Sequence, residues 1–113
     1  MKLYTIGHSN IDIDKFISLL KREGIEVLID VRSFPYSRYA SQFNKETLIK
    51  IIIANGIRYV YMGDALGGRP DDKSCYIKDN PDYDLIRQKE FYQKGLKRLL
   101  EDVAKYRVAI MCS

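Results

Sequence analysis

The sequence predicts an α/β domain, a three-layer sandwich around a four-stranded, mainly parallel sheet in the order β-α-β-α-β-α-β. Three observations carry this. Short apolar runs alternate with segments whose apolar residues fall at i, i+3, i+4 and i+7, the spacing of one buried helix face. Two of those segments leave through the same Gly-Ile exit, at Gly24-Ile25 and Gly56-Ile57. The second apolar run, residues 27–31, is broken only by Asp30, as in strands covered on both faces of a parallel sheet. Strands joined through helices make right-handed crossovers.

Residues 2–6 form the first strand, closed by the turn residue Gly7. Asp12 is placed as a helix N-cap, with Ile11 and Phe16 as a hydrophobic staple. Ile13, Phe16, Ile17 and Leu20 make the buried stripe, and Gly24 stands where a left-handed residue commonly ends a helix. After the strand at 27–31, Asn44 is expected to cap a second helix stapled by Phe43 and Leu48. Leu48, Ile51 and Ile52 point inward, and Gly56 closes that helix. Residues 57–62 form the third strand.

A long loop over 63–83 follows, of a length that is usually functional or mobile. The third helix is expected over 84–105, with Tyr92, Leu96, Leu99, Leu100 and Val103 as its stripe. Gly95 inside it costs about 1 kcal/mol relative to Ala, which close packing would explain. Residues 107–112 form the fourth strand. A flavodoxin-like strand order, 2-1-3-4, is expected; a rhodanese-like arrangement is the alternative within the same class.

At 113 residues, with 46% hydrophobic and 30% charged residues, the chain fits one domain of globular composition. The last strand runs directly into Ser113, so a domain that ends on a strand and one truncated at its carboxyl end are both open readings. No apolar run approaches the roughly 20 residues that span a bilayer, and the start lacks a signal-peptide pattern; a cytoplasmic location is expected. Cys75 and Cys112 are too few for a disulfide framework or a zinc site, and reduced thiols are expected in a reducing compartment. A net charge of +4 permits an anionic partner without demanding one.

In a parallel sheet the carboxyl ends of all strands share one edge, where ligands bind. Four polar, glycine-bearing segments reach that edge: residues 7–10, 30–42, 63–69 and 112–113. His8, the one histidine, suits proton transfer or donation to an anion; a backbone-bonded loop histidine is the plainer alternative. Ser9 with Asp12 also reads as a capping box. Asp30 needs a partner if buried, and Arg32 or Arg38 could supply it, either as a structural ion pair or as part of a catalytic group. Arg32, Arg38 and Arg69 can present planar forks to phosphate, sulfate or carboxylate. Tyr36 and Tyr39 could stack on a base or cover the core. Gly67 and Gly68 allow backbone to approach a ligand. Cys112, at a strand end, is a candidate nucleophile, although a buried inert cysteine is the simpler reading.

The runs Thr5-Ile6-Gly7-His8-Ser9-Asn10, Asp30-Val31-Arg32-Ser33 with Pro35 and Ser37-Arg38, Leu66-Gly67-Gly68-Arg69 and Met111-Cys112-Ser113 together resemble the domain of unknown function 488 family. The resemblance covers nearly the whole chain in the right order. It implies a fold and a site but no substrate, and it implies a Cys-His-Arg segment after the cysteine strand that this sequence does not contain. A looser similarity links it to rhodanese-like and low-molecular-weight phosphatase-like domains, where a cysteine followed by a backbone loop and an arginine binds an oxyanion.

The candidate catalytic residues are therefore His8, Asp30 and Cys112. The candidate anion-binding residues are Gly7, Ser9, Arg32, Ser33, Ser37, Arg38, Gly67, Gly68 and Arg69. No metal site is expected, and no cofactor is specified. The leading expectation is binding of a phosphate-like or nucleotide-like small molecule at the carboxyl edge of the sheet, with chemistry on it left open. The alternatives are a nucleic-acid-binding module and a truncated, inactive member that acts as an interaction partner or homodimer covering an open sheet edge.

Overall fold

A computed structural model describes residues 3–7 and 11–112. Strand β1 (Leu3–Gly7) leads to helix α1 (Ile13–Arg22), β2 (Val27–Asp30), α2 (Lys45–Ala54) and β3 (Arg58–Tyr61). A short helix α3 (Gly63–Leu66), a two-stranded hairpin of β4 (Tyr76–Ile77) and β5 (Asn80–Pro81), and helices α4 (Tyr83–Arg87) and α5 (Glu90–Lys105) precede the last strand, β6 (Val108–Cys112). Among the described residues, no helix is long and apolar enough to cross a membrane.

The four long strands form one fully parallel sheet in the order β1-β6-β2-β3. This corrects the flavodoxin-like order: the last strand enters between the first two. Val27 lies in register with Val108 and Arg58, and Gly7 with Cys112. Connections that run in one direction across a sheet place their helices on one face, and a reversed connection places its helix on the other. The β1-to-β2 and β2-to-β3 connections run the same way, and α1 and α2 accordingly share a face. The β3-to-β6 connection runs back, and α5 covers the opposite face.

Each face has its own core, as the alternation of a strand's side chains requires. Phe16, Leu20, Leu28, Phe43, Leu48, Ile52 and Met111 fill one side; Val27, Ile29, Met62, Leu99, Val103 and Val108 fill the other. Phe16 and Phe43 meet edge to face at 5.0 Å between ring centres.

The helix ends follow the sequence at most points. The Asp12 carboxylate accepts from Asp14 N at 2.9 Å, and Gly24 and Gly56 take the left-handed conformation, at φ 67° and 76°. Asn44 is a correction: it makes no side-chain cap on α2. Its carboxamide oxygen instead accepts from Ser37 N at 2.6 Å, so the side chain ties the loop ahead of the helix. Leu100 also departs from expectation, at 58% exposed.

The helix expected over 84–105 is two helices. Asp82 caps α4 through Asp84 N and Leu85 N, and Lys89 is extended, breaking the helix before α5. The 63–83 stretch is not structureless: Lys78 and Asp79 turn the β4–β5 hairpin with φ of 49° and 66°, the sign that a tight two-residue hairpin turn requires. Gly95 packs against α3, where an added Cβ would lie 2.7 Å from that of Ala65, so close packing does account for the glycine.

Candidate functional site

The carboxyl ends of the strands carry the residues the sequence singled out, held by a buried polar knot. Asp30 closes β2 with 0% exposure. Arg32 Nε donates to its Oδ1 at 2.9 Å and Nη2 to its Oδ2 at 2.8 Å. The Arg32 backbone N–H donates to the same Oδ1 at 3.1 Å, and the Tyr59 hydroxyl donates to Oδ2 at 2.6 Å. Arg32 Nη2 also donates to the carbonyl of Phe43 at 2.8 Å. Of the two arginines the sequence offered, Arg32 is thus the partner. A buried charge is tolerated when paired and fully hydrogen-bonded, and every oxygen of Asp30 is engaged here. The knot fixes the backbone of residues 31–34 relative to β3 and to the turn before α2.

Tyr59 is pushed well above the ordinary tyrosine range, by burial first and then by its bond to the Asp30 carboxylate. Tyr61 is raised mainly by burial, and its hydroxyl donates to the carbonyl of Arg32 at 2.8 Å. Neither tyrosine was picked out from the sequence. Their alternating places on β3, opposite the strand that ends in Asp30, were the available signal.

Beyond the knot lies an open cleft of about 410 Å³, bordered by Arg32, Ser33, Phe34, Gly68, Arg69, Tyr83 and Cys112, with Val31 and Leu66 beneath. Ser33 Oγ accepts from the Arg69 backbone N–H at 2.8 Å, stitching the loop after β2 to the loop after α3. Gly67 permits that stitch, since a Cβ there would fall on Ser33 Oγ. Its role is close approach of backbone to Ser33. Gly68 is open, with only the Tyr83 hydroxyl nearby. The Arg69 guanidinium is exposed and makes no hydrogen bond or ion pair with a described residue.

Cys112 is exposed and its thiol is free, which corrects the expectation that this cysteine is buried. Cys75 is the buried one, also unbridged. Register sets Gly7 beside Cys112, so β1 ends at the same edge. His8 and Ser9 lie outside the described residues.

Two expected members stand apart. Ser37 Oγ accepts from Tyr39 N at 3.1 Å and Ala40 N at 3.2 Å, so it shapes its own turn. Arg38 is exposed and borders neither this cleft nor its neighbour; the three arginines do not converge. Tyr36 and Tyr39 do not cover the core, since both are exposed. The Tyr36 hydroxyl donates to Glu46 at 2.7 Å. Phe34 and Tyr83, neither of them among the candidate site residues, do border the cleft.

A neighbouring hollow of about 480 Å³ shares Ser33 and Arg69 but is bordered by Asp64, Asp71 and Asp72. Among the described residues, no carboxylate side chain borders the Cys112 cleft. Among the described residues, no group of three His, Cys, Asp or Glu side chains could hold a metal ion.

Residues 12–113 match the family model described as "Domain of unknown function DUF488". No curated protein and no solved structure matches the chain. The family match spans nearly the whole chain, and the chain belongs to that family.

Proposed function

We propose that this family member binds an anionic small molecule, phosphate-like or nucleotide-like, in the cleft between the ends of β2 and β6. The observation that carries the reading is the cleft's lining: Arg69, unengaged by any described residue, beside Ser33, Gly68 and Cys112, with no carboxylate side chain among the described bordering residues. An arginine fork matches a phosphate or carboxylate geometrically, and the adjoining acidic hollow repels the same anion. Ser33 and Gly68 offer a hydroxyl and an uncluttered backbone to it.

Asp30 and Arg32 take the positioning role in this reading. Their side chains are turned to each other, and the bonds between them hold Ser33 at the cleft. Gly7 ends β1 at the same edge, in register with Cys112. His8 and Cys112 are the proposed groups for any chemistry on the bound molecule, and Ser9 a proposed further donor.

The test is thermal unfolding of the full chain with phosphate, sulfate and nucleoside monophosphates at millimolar concentration, against chloride at matched ionic strength. A ligand at ten times its dissociation constant stabilises by about 1.4 kcal/mol. The expected result is a rise in Tm that Arg69→Ala abolishes without changing the ligand-free Tm, because that side chain is exposed. No rise with any of these anions would overturn the reading.

A further inference from the structure

We infer that the anion carries a flat aromatic ring, so that the ligand is a nucleoside phosphate whose base stacks on Phe34 and meets Tyr83; this rests on the anion reading above. Both rings border the Cys112 cleft, yet Phe34 is 77% and Tyr83 60% exposed. Large aromatics usually supply much of a core's or an interface's buried area. Two in one cleft, left to water, mark a surface awaiting a partner.

Phe34 is held ready rather than loose. Ser33 before it is tied to Arg69, and Pro35 after it is buried, its carbonyl accepting from Lys45 N at 3.0 Å. Its ring meets Tyr36 edge-on, with centres 5.4 Å apart and planes at 63°, and this leaves area open for stacking. Tyr83 is the first residue of α4, and the Asp82 cap fixes that helix end. Its hydroxyl lies 3.8 Å from where a Cβ on Gly68 would stand, next to the proposed phosphate position. Preorganised rings of this kind lower the ordering cost of binding. The cleft, about 410 Å³, is within the size range of small-molecule sites and far exceeds what a lone phosphate needs. Val31 and Leu66 give it an apolar floor, which suits a base and offers nothing to a bare oxyanion.

The experiment is isothermal titration of the full chain with AMP, UMP, ribose 5-phosphate and adenosine. AMP or UMP should bind about tenfold or more tighter than ribose 5-phosphate, the scale of one base–aromatic stack. Phe34→Ala should close most of that gap while leaving ribose 5-phosphate unchanged, Phe34→Tyr should keep it, and Tyr83→Ala should narrow it. These side chains are exposed, so circular dichroism is expected to show the variants folded. Equal affinity for the nucleotides and ribose 5-phosphate would overturn the aromatic assignment and leave the anion reading standing. A gap that survives both alanine variants would overturn the placement on these rings. Adenosine binding as tightly as AMP, or no binding by any phosphate, would overturn the anion reading itself. Binding of a single-stranded oligonucleotide with none of the free mononucleotides would transfer the surface to nucleic acid and refute the small-molecule inference.

Discussion

Replacing Arg32 with Met isolates what the buried Asp30–Arg32 pair contributes to the fold. The change removes two bonds to Asp30, at 2.9 and 2.8 Å, and one to the Phe43 carbonyl at 2.8 Å. Asp30, at 0% exposure, keeps the Tyr59 hydroxyl and one backbone N–H but loses its only charged partner among the described residues. Breaking a buried pair from one side costs about 3–5 kcal/mol, because the remaining charge is uncompensated. Set against a typical stability of about 5–15 kcal/mol, such a loss leaves the domain marginal or unfolded. Tyr59→Phe removes one hydrogen bond to a charged acceptor and should cost less, about 1.5–3 kcal/mol. Replacing both charges, as Asp30→Leu with Arg32→Met, should recover much of the loss, since an apolar pair of similar volume carries no desolvation cost. The chain has no tryptophan, so urea unfolding is followed by far-UV circular dichroism, with m checked for constancy. An Arg32→Met cost below about 1 kcal/mol, in the range of an exposed pair, would refute the claim that this ion pair is a desolvated brace. A double variant as unstable as the single one would refute the electrostatic origin of the loss.

Gly95→Ala sets helix propensity against packing. Propensity favours Ala by about 1 kcal/mol, but the new Cβ would stand 2.7 Å from that of Ala65 and 3.3 Å from Leu66, and overpacking costs about 1–3 kcal/mol. The Tm should fall, and Ala65→Gly in the same chain should recover it; a rise in Tm with the single variant would contradict the close α3–α5 contact. The raised Tyr59 and Tyr61 make alkaline pH destabilising. Above about pH 10, the ordinary tyrosine value, the unfolded chain sheds protons that the folded chain retains. Stability therefore falls with rising pH, by at most about 1.4 kcal/mol per pH unit for each tyrosine withheld. Urea midpoints of wild type and Tyr59→Phe between pH 9 and 11 should show the shallower decline in the variant, and parallel declines would count against the assignment.

The order of the main elements was legible because each carries its own periodicity and stop signal: Asp12 and Gly24 bracket α1, and Gly56 ends α2. Strand order was not legible, because alternation in residues 107–112 says which face each side chain takes but nothing about which strand lies alongside. The β4–β5 hairpin escaped notice because two-residue strands are too short to show a period, and its turn uses Lys78-Asp79 in place of the usual glycine or asparagine. The break at Lys89 has no glycine or proline to announce it. At the site, Asp30 was recognisable as a charge inside an apolar strand. Choosing Arg32 over Arg38 needed the backbone, which lets residue 32 fold back on residue 30 while residue 38 lies beyond Pro35. Phe34 was invisible as a site residue because exposure in a loop is set by what packs on it, and sequence does not record that.

Strand order also decides where the cleft falls. Because β6 sits between β1 and β2, Cys112 ends one strand away from Asp30, not at the far edge where a 2-1-3-4 order would leave it. The connections out of β2 and β3 part company: residues 31–44 run toward the α2 face, and residues 62–69 run toward the α5 face. Adjacent parallel strands whose connections leave for opposite faces open a crevice between their carboxyl ends, the usual ligand position in open α/β sheets, and the cleft joins that opening beside β2, through Ser33 and Arg69, to the end of β6 at Cys112. The Ser33–Arg69 bond links the two segments across that parting near the cleft. Weakening it with Ser33→Ala should therefore loosen the loop after α3 more than it lowers global stability, visible as faster hydrogen exchange at residues 67–69 with little change in Tm.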